Sequence, residues 1–121
     1  AEMLTTDYFA EALDFAQLNA SANQVNITTQ LLDWREISLT QQFDYILAAD
    51  VLYEQRNHLP ILQAIAQLLA PGGTAYISDP QRTIAKKFTG MAAEHGFKLE
   101  TITTPVAWRE LTLSVDIHAL H

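Results

Sequence analysis

The chain has 121 residues, which suits one domain and leaves no room for two of ordinary size. Its 49% hydrophobic content is enough for a real core, while 7 basic against 14 acidic residues (net charge −7) argue against non-specific binding to nucleic acid or anionic membrane. The absence of Cys excludes disulfides, a thiolate metal site and a cysteine nucleophile, and no run approaches the about 18 apolar residues of a membrane span. Ala1-Glu2-Met3-Leu4 lacks the basic start and apolar run of a signal peptide, and the composition suits the cytoplasm.

Glu2 to Thr6 reads as a short strand ending at Asp7. Phe9 to Ala22 reads as a helix, with Ala12, Leu13, Ala16 and Ala20 at helical spacing and Phe15 and Leu18 widening the stripe. Val25 to Leu32 is a second strand, followed by Asp33-Trp34. Phe43 to Ala48 is a third, a nearly continuous apolar run of the kind found where helices cover both faces of a parallel sheet. It runs into Ala49-Asp50-Val51-Leu52-Tyr53. Leu59 to Ala70 is helical, with Pro60 in the first turn and Pro71-Gly72-Gly73 as the stop. Thr74 to Ser78 is a strand, and Thr83 is placed to cap a helix that Gly96 ends. Phe97 to Thr103 and Leu111 to Ala119 are strands, joined through Pro105 to Arg109 as an antiparallel hairpin. The last strand alternates, with Leu111, Leu113, Val115, Ile117 and Ala119 on one side and Thr112, Ser114, Asp116 and His118 on the other. The order predicts an α/β layered fold with a mixed sheet.

Ligands of open α/β sheets bind beyond the carboxyl ends of the strands. Asp7, Asp33-Trp34 and Asp50 with Tyr53 sit at three such ends. Asp7 is suited to accepting both hydroxyls of a ribose, Trp34 to stacking on a base, and Asp33 to accepting from an exocyclic amine. Asp50 is suited to orienting a ligand amine, with Tyr53 beside it. The plainer alternatives are helix caps for the aspartates, a core position for Trp34 and a surface position for Tyr53.

Thr6-Asp7-Tyr8, Glu11-Ala12-Leu13, Asn19-Ala20, Leu32-Asp33-Trp34, the run Phe43 to Glu54 and Leu69-Ala70-Pro71-Gly72-Gly73 together resemble the class I S-adenosylmethionine-dependent methyltransferases. Within them the chain is most similar to the seven-β-strand, protein-lysine methyltransferase-like group. Asp50-Val51-Leu52-Tyr53 and Leu32-Asp33-Trp34 are the specific signals; Pro71-Gly72-Gly73 is weak alone. The resemblance spans the chain and implies a single domain over residues 1–121 with a Rossmann-like, mostly parallel sheet and an antiparallel final strand. It implies S-adenosylmethionine as cofactor, no metal, and a protein-lysine, other amine or small-molecule acceptor. It also implies that Asp7 and Tyr8 lie at the donor ribose and that Asp33 and Trp34 border the adenine. Asp50 is then placed between the methionine end and the acceptor, and Tyr53 at the acceptor entrance. Transfer in that family is a direct in-line displacement, in which the protein chiefly positions the reactants.

The departure from the pattern is the family's first strand and its glycine-rich acidic turn. Gly72, Gly73, Gly90 and Gly96 all follow the Asp50 motif, so the fold is expected to be incomplete at its amino end. That expectation makes the chain a fragment of a longer enzyme, a truncated product that rearranges or dimerises, or a chain completed by a partner. The competing reading is a catalytically inactive chain that self-associates, for instance as a homodimer, through exposed sheet edges. A further one is a different nucleotide-binding module.

The remaining candidates are weaker. His58 is expected as a solvated turn residue, or else at the pocket, and His95 in a last helical turn. Asp79-Pro80 follows the strand from Thr74 to Ser78 and so lies on the functional edge, where Asp79 is placed to contact the acceptor; a simple turn is the plainer reading. Arg82, Lys86 and Lys87 are read as a solvated cluster on a helix. There is no nucleophile elbow, no phosphate loop and no Asn-Pro-Pro-Tyr type motif, which together with the charge disfavours a nucleic-acid substrate.

Overall fold

The computed structural model describes residues 1–121. The chain forms two compact units, residues 1–38 and 39–121.

The first unit is a strand–helix–strand module: β1 (Leu4–Asp7), α1 (Ala10–Ala22) and β2 (Thr28–Leu31). The strands pair in parallel, from Leu4 opposite Thr28 to Asp7 opposite Leu31. A parallel pair needs a crossover, and α1 supplies it. The helix buries Leu13 and Ala20, whereas Phe15 and Leu18 are exposed and do not extend the inward stripe. The second strand starts later than Val25 because the ladder begins only where the Thr28 N–H donates to the Met3 carbonyl (2.9 Å).

The second unit contains β3 (Phe43–Ala49), α2 (His58–Leu68), β4 (Leu69–Asp79), α3 (Ala85–Glu94), β5 (Leu99–Trp108) and β6 (Leu111–Leu120). A single 3₁₀ turn, Gln55–Asn57, leads into α2. The sheet order is β3-β4-β6-β5. The β3–β4 pair is parallel, and β6 runs antiparallel to both β4 and β5. This is the mixed sheet with an antiparallel last strand that the sequence predicts.

Helix α2 stops at Leu68, and Leu69 is already extended. The Pro71-Gly72-Gly73 segment is an excursion within β4: the partner of β3 jumps from Phe43↔Leu69 to Tyr45↔Thr74. Gly72 has a positive φ of 79°, which glycine adopts without steric cost. Gly73 is required for a different reason. A Cβ there would lie 2.7 Å from the Asp44 carbonyl oxygen and 3.0 Å from that of Ala70.

Three local expectations change. Thr83 does not cap α3, whose N-cap position is Ile84 without a side-chain hydrogen bond. Asp79 organises that entry instead, its Oδ2 accepting the Arg82 N–H (2.7 Å). The β5–β6 hairpin turns at Arg109-Glu110 rather than across 105–109, because Pro105 stays in the ladder opposite Ser114. Strand β5 is an edge, and an edge tolerates the missing donor of proline. His58 is neither solvated nor at a pocket. It is fully buried, its Nε2 lies 3.0 Å from the Leu52 carbonyl, and its ring meets Phe88 edge-on at 5.6 Å.

The core of this unit lies between one face of the sheet and helices α2 and α3. It contains Ile61, Leu62, Ile65 and Leu68 of α2, Phe88 and Ala92 of α3, Ala75 and Ile77 of β4, and Leu120 of β6. Alternation along β6 therefore puts Asp116, His118 and Leu120 on the helix-covered side. The apolar members Leu111 and Leu113 of the opposite set are exposed. Strand β3 is the other edge, and its apolar run is not buried on both faces: Tyr45 is 69% and Leu47 67% exposed. No helix is long and apolar enough to cross a membrane.

Gly73→Ala should destabilise the second unit by about 1–3 kcal/mol, since backbone must move to admit the methyl group. Gly90→Ala in α3 meets nothing within 4 Å and should stabilise it by about 0.5–1 kcal/mol. Urea unfolding of the two variants checks both signs.

Candidate functional site

The parallel register of β1 and β2 makes their carboxyl ends level. The Leu32 N–H donates to the Asp7 carbonyl (2.9 Å), one step beyond the named ladder. Asp7-Tyr8 and Asp33-Trp34 thus leave the same end of the same two-stranded sheet. Asp7 Oδ1 accepts the Phe9 N–H (2.9 Å), closing the turn into α1. Tyr8 is exposed and meets the Phe9 ring edge-on at 5.2 Å. Asp33 Oδ1 accepts the Arg35 N–H (2.9 Å), and the Arg35 guanidinium stands 3.6 Å away. The Glu36 N–H returns to the Asp33 carbonyl (3.0 Å), so the segment is a tight turn with Trp34 half-buried inside it.

Each of the two carboxylates thus spends Oδ1 on local structure. A carboxylate has about four acceptor positions, so both retain capacity toward a ligand's hydroxyl or amine hydrogens. The half-exposed indole presents a flat apolar surface of the kind on which a base stacks. This donor set fits the adenosine half of a nucleoside cofactor.

In the second unit Asp50 follows the last residue of β3. Its N–H donates to the Ser78 carbonyl (2.9 Å), extending the β3–β4 pairing by one residue. Its φ is +53°, a left-handed conformation uncommon outside glycine. Such conformations cluster at functional sites. The Asp50 carboxylate receives two parallel hydrogen bonds from Arg82, Nε to Oδ1 at 2.9 Å and Nη2 to Oδ2 at 3.1 Å. This fork holds the Asp50 pKa below the usual carboxylate value, against a smaller opposing effect of desolvation. The same fork raises the pKa of Arg82. Tyr53, three residues on, is exposed, while Leu52 between them is fully buried and fixes the loop.

Two groups depart from the role the sequence favours. Arg82 does not belong with Lys86 and Lys87 on a solvated helix. It precedes α3 and pairs with Asp50, while Lys87 Nζ reaches Gln55 (3.3 Å). Asp79 is more than a turn residue, being buried at the end of β4. Its place at a strand end was the signal; the burial of His118 and the partial burial of Asp116 on β6 left none.

Because the folded-state pKa of Asp50 is depressed, the pair contributes above the unfolded carboxylate pKa and is lost as pH falls through the folded value. The side chains are 52% and 42% exposed, so the contribution to stability is small. In Arg82→Met the Asp50 titration should move up toward 3.8, read from the carboxyl carbon resonance in NMR. A titration unchanged from the parent would refute the pairing.

A family model described as a methyltransferase domain matches residues 1–112. No curated protein matches the sequence. Among solved structures, a methyltransferase from Pyrococcus furiosus superposes with a TM-score of 0.76 at 16% identity, over 98% of this chain and 62% of that one. The precorrin-6y C5,15-methyltransferase from Geobacter metallireducens gives 0.75 at 16% identity, over 99% of this chain and 66% of that one. The N-methyltransferase NodS from Bradyrhizobium japonicum, solved with S-adenosyl-L-homocysteine, gives 0.71 at 14% identity, over 98% and 66%. This chain therefore spans less than two thirds of the length of each, and likeness at these identities is likeness of fold. With the family model covering nearly its whole length, the chain belongs to the methyltransferase domain family and has its α/β fold.

Proposed function

We propose that this chain takes part in transfer of a methyl group from S-adenosylmethionine to an amine, a protein lysine in the first instance, as one segment of a longer cytoplasmic enzyme. In this reading residues 1–121 belong to a single domain. The observation that carries the proposal is Asp50, held in a left-handed conformation at a strand end and fixed by the Arg82 fork.

The donor, when bound, supplies a methyl group on a positively charged sulfur. Asp7 accepts from the ribose hydroxyls, with Tyr8 beside it. Trp34 stacks on the adenine and Asp33 accepts from its exocyclic amine. Asp50 orients an ammonium or amine nitrogen through the acceptor positions that Arg82 does not use. Arg82 holds that carboxylate in place and its pKa below the usual value. Tyr53 lines the entrance for the acceptor.

A second reading has its own observation. Strand β3 is an apolar edge with Tyr45 and Leu47 exposed, and such edges recruit further strands. The chain alone is then inactive and self-associates.

Calorimetric titration with S-adenosylhomocysteine tests the donor site. Saturable binding that Asp7→Ala abolishes and Trp34→Ala weakens by about 1–3 kcal/mol supports the donor site. Affinity unchanged in Asp7→Ala rules out the assigned role of that residue. Absence of binding at about 1 mM, with the chain folded, means that the donor site needs the rest of the enzyme, and the second reading is then tested by association. Under that reading sedimentation equilibrium should show concentration-dependent association that Leu47→Lys reduces, since an edge lysine opposes strand addition.

A further inference from the structure

The inward face of the second sheet changes character along its length. Three cross-strand rows lie side by side: Ala75–Leu120–Leu99, then Ile77–His118–Thr101, then Asp79–Asp116–Thr103. The first is apolar and the last carries two carboxylates. A cavity of about 380 Å³ opens over the polar rows. Thr101, Asp116 and His118 line it from the hairpin, and Asp79, Arg82, Lys86 and Thr89 from the end of β4 and from α3.

Asp79 is the unusual member. It is only 1% exposed, and its Oδ1 has no hydrogen-bond partner, while Oδ2 takes the Arg82 N–H. A buried acceptor left unsatisfied is costly. Asp116 sits opposite it in register, with both its hydrogen bonds on Oδ1, from Thr103 (2.6 Å) and Gln81 (3.1 Å). Those two bonds hold the Asp116 pKa below the usual carboxylate value. His118 is held toward its neutral form by burial, which outweighs the pull of Asp116 and Asp79. It adds no cation, and its Nδ1 lies 2.8 Å from Thr101 Oγ1. The Arg82 guanidinium is turned to Asp50.

We infer that this cavity binds a primary ammonium group, which donates to Asp79 Oδ1 and is neutralised by Asp79 and Asp116 together. A carboxylate oxygen only accepts, so the occupant must donate. Two carboxylates in register, with a neutral imidazole and hydroxyls beside them, select a compact cation with several donors over a neutral alcohol. The volume of the cavity leaves room for a short alkyl stem beside the head group. Lys86, exposed in the first turn of α3, is the competing cation at the rim. The site is built entirely from the second unit and does not rest on the methyl-transfer reading.

The test is a ¹H–¹⁵N NMR titration of the full chain with n-butylammonium, with n-butanol as the neutral isostere and no methyl donor. Saturable shifts at Asp79, Gln81, Lys86, Thr101 and Asp116, with a Kd in roughly the millimolar range and none from n-butanol, are expected. Asp79→Asn and Asp116→Asn should each weaken binding about tenfold. Both keep an oxygen for the structural hydrogen bond, and if one variant loses its dispersed spectrum the other decides. Lys86→Met should tighten binding severalfold, an effect that a purely structural Asp79 would not produce. Nα-acetyl-lysine amide binding more tightly than n-butylammonium assigns a polypeptide side chain as the source; weaker binding assigns a small free amine. Equal response to n-butanol, or no saturation by n-butylammonium at ~50 mM, overturns the inference.

Discussion

Strand β4 is the constraint on which the second unit depends. It is flanked by β3 on one side and β6 on the other, and its inward residues Ala75, Ile77 and Asp79 are all essentially inaccessible. Two apolar residues pack under α2 and α3, and a carboxylate follows at the same spacing. Period-two alternation cannot skip a position, so whatever stands at 79 must face the helix layer. The structure meets that demand by giving Asp79 one backbone N–H at the entry to α3. The same residue thereby joins the sheet to the helix and sets the polarity of the space between them.

The strand ends show how an aspartate that fixes the local chain keeps acceptor capacity to spare. Asp7 and Asp33 each use one oxygen to fix the chain as it leaves the sheet. That bond orients the second oxygen at no further entropic cost, which is the preorganisation a binding carboxylate needs. The cap reading and the ligand reading of these residues are therefore compatible. Asp50 differs, because its carboxylate is held by a side chain and its backbone by a left-handed turn. A left-handed aspartate costs free energy that a helix cap would not require.

Much of this was legible in the sequence. The apolar runs, the glycines and the strand-end aspartates place β3, β4, α2 and the antiparallel hairpin nearly where they stand. Errors fall where a residue's environment depends on distant chain. His58 looks like a turn histidine locally, yet it is buried because Leu52 and Phe88 close around it. Thr83 has the chemistry of a cap, but α3 begins without a side-chain cap, and Asp79 fixes the preceding loop through the Arg82 N–H. Arg82 sits beside two lysines in sequence and pairs instead with a carboxylate 32 positions away.

Sequence by itself determined the element types, the mixed sheet and the identity of the strand-end groups, because periodicity and turn chemistry are local. Tertiary structure alone decided which face of each strand is inside. On β6 the more apolar set, Leu111 to Ala119, runs along the uncovered side, while Asp116 and His118 lie under α3. Alternation defines two faces but does not say which one a helix will cover. That choice follows from the register with β4, where Ile77 meets His118 and Asp79 meets Asp116. A one-residue slip would have exchanged the faces.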